Sequence, residues 1–230
     1  MVKSIEMSNI VDLFPPLINE PPEPLALFAD VHWLKGYALP QQVNLVHDLH
    51  EVIAQSPFRR MVTPGGFTMS VAMTNCGNLG WVTSRAGYRY TTYDPLNELS
   101  WPPMPDSFLA IAQSAARQVG YADFIPDACL INRYNIGARM SLHQDKNEKD
   151  YSQPIVSVSL GLPATFQLGS FERSDKPLKL LLEHGDVVVW GKSARMRYHG
   201  ILPLKAGMNP SGITPALNDC RINLTFRKAG

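Results

Sequence analysis

Hydrophobic positions fall into two textures along the chain. Between Gln41 and Gln55, Val43, Leu45, Val46, Leu49, Val52 and Ile53 recur at helical spacing, with Pro40 before them and Pro57 after. A second helix is predicted over Pro105 to Val119, stopped by Gly120. From Asp127 onward the pattern shortens to β-rich runs punctuated by Gly and Pro: Ala128 to Tyr134, Ile155 to Leu160, Ala164 to Leu168, Asp186 to Trp190, Met196 to Ile201 and Cys220 to Arg227. Short strands at this spacing without helices between them predict a sandwich or jelly roll, mainly β, buttressed by the two earlier helices. Ahead of all this, Phe14 to Pro24 holds too many prolines for helix or central strand, so residues 1–24 read as an extended, proline-rich leader.

The last run carries the most information. In Arg221-Ile-Asn-Leu-Thr-Phe-Arg227, strict alternation puts Arg221, Asn223, Thr225 and Arg227 on one face and Ile222, Leu224 and Phe226 on the other. An edge strand with its polar face in water would show the same pattern. If the strand lines the interior of a roll, its two guanidiniums need anionic partners, and a small dicarboxylate would satisfy both. On Ala128 to Tyr134, Asn132 and Tyr134 share a face and could donate to the same ligand.

Candidate metal ligands come next. Leu142-His143-Gln144-Asp145 places an imidazole and a carboxylate two residues apart, on one face of an extended segment. The triplet alone arises easily as a surface hydrogen-bonded pair. His199, after the apolar run Val187 to Trp190, is either a core histidine or a third ligand. Two histidines and a carboxylate on one face of a metal are the arrangement of non-heme Fe(II) oxygenases.

Composition adds bounds. At 230 residues the chain can bury a substantial core, and a single domain with one active site is expected. A net charge of +1 leaves partners to local charge. Such a local bias exists between Ser56 and Tyr93, where Arg59, Arg60, Arg85 and Arg89 alternate with Phe58, Phe67, Trp81, Tyr88, Tyr90 and Tyr93 without any acidic residue. Cations with exposed aromatics suit phosphates and unstacked bases, although a solvated basic face over a core would look similar. Cys76, Cys129 and Cys220 form no paired motif, and no apolar run suggests a signal peptide or membrane span, so a reduced, soluble, cytoplasmic monomer is expected.

Together, Met61-Val-Thr-Pro-Gly-Gly66, Asn75-Cys-Gly77, Asp127 to Tyr134, Leu142 to Lys146, Leu182 to Gly191 and Asn223 to Arg227 make the chain resemble the AlkB family of nucleic-acid dealkylating dioxygenases, from about Ser56 to Ala229. The resemblance implies a double-stranded β-helix (jelly roll) over residues 25–230. Within it, a nucleotide-recognition lid would span about 56–103 and a catalytic roll about 127–230. It implies Fe(II) on His143, Asp145 and His199, with 2-oxoglutarate and O2 as cosubstrates. Arg221, Asn132 and Tyr134 would grip the distal carboxylate of 2-oxoglutarate, and Arg227 and Asn223 its other end. The implied reaction removes N-alkyl groups of the 1-methyladenine, 3-methylcytosine or etheno type from single- or double-stranded DNA, or from RNA, releasing aldehyde, succinate and CO2. Trp81 and the His143 ring would sandwich the flipped base, with Met73, Tyr88 and Arg173 around it. Two features depart from the family: Asn147 stands where an acidic residue is usual, and the connection after Gly200, with Pro210, Gly212 and Pro215, is longer. An oxygenase acting on protein side chains, or a non-catalytic nucleic-acid-binding roll, are the competing readings.

Overall fold

The computed structural model describes residues 23–206 and 217–230; the proline-rich leader up to residue 22, and Pro210, Gly212 and Pro215 of the long connection, lie outside them. Along the described residues the elements are β1 (Leu25–Phe28), β2 (Val31–Leu34), α1 (Gln42–Gln55), β3 (Arg59–Val62), β4 (Thr68–Gly77), β5 (Gly80–Ser84), β6 (Gly87–Thr91) and α2 (Asp106–Gln118). They continue with β7 (Ala128–Asn135), β8 (Met140–His143), β9 (Ile155–Gly161), β10 (Ala164–Leu168), β11 (Leu178–Leu182), β12 (Val187–Trp190), β13 (His199–Ile201) and β14 (Cys220–Arg227).

Among the described residues the strands form a large sheet ordered β1-β2-β12-β9-β14-β7-β4-β3, a four-stranded sheet ordered β11-β10-β13-β8, and the separate hairpin β5-β6. Two antiparallel sheets facing each other, with helices on the outer face of the larger, make the expected jelly roll. β14 is no edge strand. It lies between β9 and β7 and is buried along its whole length, which removes the solvated-edge reading of its alternation.

That alternation sorts two cores. Ile222, Leu224 and Phe226 point toward the helices, where Phe108 meets Phe226 edge-on at 6.0 Å among Leu45, Leu49, Ile111 and Ala112. Phe166, Leu168, Leu180 and Trp190 fill the space between the sheets. Both helices sit where the sequence places them, for readable reasons. Pro105 precedes the first turn of α2, Asp106 lies in that turn and Arg117 in the last, favourable ends for the helix dipole, and Gly120 at φ +89° turns the chain away. Within α1, Leu45, Val46, Leu49 and Val52 are buried, but Val43 is 73% exposed, contrary to its place in the apolar pattern, because it falls in the first turn outside the core-facing stripe.

Another expectation needs correction. The strand expected over Met196 to Ile201 begins only at His199; Met196 belongs to the turn before it. Within residues 56–103, β3 and β4 are strands of the large sheet, with β4 paired along β7, and β5-β6 stands apart as a hairpin.

Candidate active site

The two candidate imidazoles are brought together by strand register. His143 ends β8 and is the antiparallel partner of His199 at the start of β13, which puts their ring centroids 4.4 Å apart. Asp145 lies two residues beyond the end of β8, so it completes the cluster from a loop rather than from the strand. Its carboxylate oxygens lie 3.7 Å from Nε2 of each histidine, and the three groups offer ligand atoms all within 4.8 Å of one another.

The protonation states suit a divalent metal. Nδ1 of His143 meets the Ser141 carbonyl at 2.9 Å, and Nδ1 of His199 meets the Arg197 carbonyl at 3.2 Å. A carbonyl only accepts, so Nδ1 carries the hydrogen in each ring and Nε2 presents its lone pair to the cluster. Burial, and then the His143 ring, push His199 down to about 3, which keeps it neutral. Burial alone would raise the Asp145 carboxyl, but Arg227, His199 and His143 outweigh it and hold it well below the usual carboxylate range. Two imidazoles and one carboxylate are the donor set that Fe(II) takes in non-heme oxygenases.

Asp145 is held by a network that sequence reasoning missed. Arg227 donates to its Oδ2 from Nη2 at 2.6 Å and from Nε at 3.0 Å, and Arg195 Nη1 donates to its main-chain oxygen at 2.7 Å. Glu148 neutralises both cations, accepting from Arg195 Nη2 at 2.8 Å and lying 3.4 Å from Arg227 Nε. Neither Glu148 nor Arg195 carries a sequence signal. Glu148 sits in the run Lys146-Asn-Glu-Lys-Asp150, which reads as solvated loop, yet its side chain and that of Arg195 are each only 2% exposed.

Arg227 is thus paired with Asp145, whereas Arg221 is left without an anion. It is 1% exposed, its Nε and Nη1 have no partner, and burial lowers it to about 10. A buried cation with unused donors fits one end of a carboxylate ligand. Beside it on β7, Tyr134 is buried, with its phenol pushed up to about 12 by that burial, and the Asn132 carbonyl oxygen is also unpartnered. Asn223 lies farther along β14, its amide donating to Ser157 Oγ (2.8 Å) and the Val158 carbonyl (3.0 Å) while its oxygen accepts from Thr225. The residues present thus fit 2-oxoglutarate at the Arg221 end and a metal at the other.

One cleft of about 810 Å³ is lined by the His143–Asp145–His199 cluster, by Asn132, Tyr134, Arg221, Asn223 and Arg227, and by Met73, Trp81, Tyr88, Asn147 and Arg173. Met73, on β4, is 1% exposed and lines the cleft from the large sheet. At the mouth, the Trp81 and Tyr88 rings of β5 and β6 are stacked, 5.5 Å apart and 18° from parallel, so one face of Trp81 is already covered. The indole Nε1 donates to Asn147 Oδ1 at 3.2 Å. Asn147, Tyr88 and Arg173 are exposed. Of the four arginines of the basic segment, Arg60, Arg85 and Arg89 are exposed, whereas Arg59 is engaged bidentately by Asp94 and is removed from any phosphate-binding role.

Residues 30–227 match the profile of the 2OG-Fe(II) oxygenase superfamily. The chain is 59% identical over 208 residues to the alpha-ketoglutarate-dependent dioxygenase AlkB of Escherichia coli, covering 90% of this chain and 93% of that protein. It is 55% identical to the Salmonella typhimurium protein of the same name, covering 96% and 98% of the two chains. The solved structure of OsALKBH1 superposes with a TM-score of 0.76 at 29% identity, covering 88% of this chain and 100% of that one. With its profile match, these identities and the His143–Asp145–His199 cluster, the chain belongs to the AlkB family of Fe(II)- and 2-oxoglutarate-dependent dioxygenases.

Proposed function

We propose that this enzyme repairs DNA or RNA by oxidative dealkylation of N-alkylated bases of the 1-methyladenine and 3-methylcytosine type, etheno adducts included. The observation that carries this reading is the meeting, in one cleft, of the His143–Asp145–His199 cluster, the unpaired guanidinium of Arg221 and the stacked Trp81–Tyr88 pair at the mouth. A protein-modifying oxygenase would use the first two and have no need of the third.

In this reading His143, Asp145 and His199 hold Fe(II), which, when bound, supplies the O2 chemistry that converts 2-oxoglutarate to succinate and CO2 and hydroxylates the N-alkyl carbon. Arg221, with Tyr134 and Asn132 beside it, binds and orients the distal carboxylate of 2-oxoglutarate. Arg227 keeps Asp145 ionised and aimed and, with Asn223 on the same face of β14, serves the end of 2-oxoglutarate nearest the metal. Trp81, Tyr88 and Asn147 form the mouth that a flipped base would enter, with the His143 ring opposite, Met73 beneath and Arg173 at the rim. The hydroxylated product is a hemiaminal that breaks its C–N bond to give an aldehyde and the restored base. We read the protein as a cytoplasmic monomer; three buried free cysteines suit a reducing compartment, and no helix among the described residues is long and apolar enough to cross a membrane.

The experiment is product-resolved turnover with Fe(II) and 2-oxoglutarate on oligonucleotides carrying 3-methylcytosine, single- and double-stranded, beside unmodified DNA, modified RNA and peptide. Succinate and formaldehyde in equal amounts with the modified oligonucleotide support the reading. Succinate formation driven by peptide and not by modified nucleic acid would overturn it.

A further inference from the structure

The hairpin at the mouth is fastened to the loop that carries Asp145, and the fastening reaches the carboxylate itself. From β6, the Tyr90 hydroxyl donates to Glu148 Oε1 at 2.6 Å. Burial raises this phenol well above its ordinary range, so it remains a donor. From β5, Trp81 donates to Asn147. Both strands of the hairpin thus hold consecutive residues of one loop, two and three positions past Asp145.

Glu148 is where the hairpin meets the charges. Its Oε1 is shared between Tyr90 and the more distant Arg227 Nε, and its Oε2 takes Arg195. Those two arginines grip the carboxylate and the main-chain oxygen of Asp145. Two cations and two anions balance inside a nearly dry volume, where each hydrogen bond to a charged atom is worth more than at the surface. Tyr90 is the neutral donor of this group and comes from a strand pair outside both main sheets.

We propose that Tyr90 is a positioning residue: through Glu148 and Arg227 it couples the nucleotide-facing hairpin to Asp145, so that substrate at the mouth and metal in the cluster strengthen each other's binding. The proposal rests on the metal and substrate assignments of the preceding subsection. A hairpin settled over a base keeps the Tyr90–Glu148 bond made, and with it the aim of Arg227 on Asp145 Oδ2. When the hairpin lifts, Glu148 loses its shortest hydrogen bond and the pair it steadies is free to shift. Coupling of this kind is reciprocal by necessity: if oligonucleotide tightens metal binding by some factor, metal tightens oligonucleotide binding by the same factor.

The test is a Co(II) titration, followed by visible absorption, of the metal-free full chain with 2-oxoglutarate, with and without an oligonucleotide carrying 3-methylcytosine. Wild type, Tyr90→Phe and His143→Ala are compared. In the wild type the oligonucleotide should tighten Co(II) binding on the order of fivefold or more. Tyr90→Phe keeps the ring and should bind Co(II), with that tightening reduced to less than about twofold. A purely structural role would instead lower Tm, or weaken Co(II) equally in both conditions, and either result with the tightening intact overturns the proposal. A wild type whose Co(II) affinity ignores the oligonucleotide also overturns it. Co(II) binding unaffected by His143→Ala is a separate failure, that of the metal site itself, and would take this inference with it.

Discussion

Arg227 Nη2 lies 2.6 Å from Asp145 Oδ2, so the last strand ends in a cation paired with the carboxylate of the His143–Asp145–His199 cluster. The pair is nearly dry, with side chains 6% and 10% exposed, and a buried pair that loses one member leaves the other charge uncompensated. Arg227→Ala should therefore lower stability by about 3 to 5 kcal/mol in the metal-free protein and also weaken metal binding. Denaturant unfolding checks the first and a Co(II) titration the second; unchanged values in both would mean that Asp145 is held by Arg195 alone.

Arg221 should behave in the opposite way. Without 2-oxoglutarate its guanidinium is buried with unused donors, so Arg221→Met should leave Tm unchanged or raise it. The same variant should bind 2-oxoglutarate more weakly by about 1.5 to 3 kcal/mol, the scale of hydrogen bonds to a charged group. Thermal melts with and without 2-oxoglutarate separate the two effects, because ligand stabilisation seen in the wild type should vanish in the variant.

His143→Ala and Asp145→Ala should each abolish dealkylation, since losing one of three ligands leaves a site that neither retains nor orients the metal. The readout is turnover with saturating Fe(II) together with metal content after desalting. Near-normal turnover by either variant would refute the ligand assignment.

Trp81→Ala removes a stacking face and the hydrogen bond to Asn147 while leaving the metal cluster untouched. Binding of modified oligonucleotide should weaken by about 1 to 3 kcal/mol, the worth of one base–aromatic stack. Fluorescence anisotropy measures this, and unchanged affinity would assign Trp81 to packing against Tyr88 alone.

At the pocket mouth Asn147 offers an oxygen to Trp81 without carrying charge. Asn147→Asp keeps an acceptor for the indole and adds a negative charge, worth on the order of 1 kcal/mol toward a cationic lesion at an effective dielectric near 20. The ratio of kcat/KM for 3-methylcytosine over ethenoadenine should rise accordingly. A constant ratio would show that position 147 does not read lesion charge.

What could be read from the sequence follows from periodicity. β7, β9, β10 and β14 and both helices carry period-2 or period-3.6 patterns and lie where the sequence places them. β8, which brings in His143, is too short and too exposed to show alternation, and β11 has only Leu180 and Leu182 buried. β3 to β6 were hidden because a basic, aromatic-rich segment suggested a surface before it suggested strands. Each site residue named from the sequence lines the cleft, but the partner of Arg227 was invisible there, because pairing across 82 positions is a property of topology rather than of spacing. Glu148 and Arg195 were missed for the same reason.

The position of β14 at the middle of the large sheet has a consequence for how this gene tolerates change. A saturation library across codons 221–227 should show a saw-tooth in protein abundance. Truncating Ile222, Leu224 or Phe226 empties the space against the helices, at about 2 to 5 kcal/mol each, and depletes folded protein. Substituting Arg221, next to Ile222 but on the opposite face, spares abundance and weakens 2-oxoglutarate binding, whereas substituting Arg227, paired with Asp145, costs both, so the saw-tooth ends at the strand's last residue.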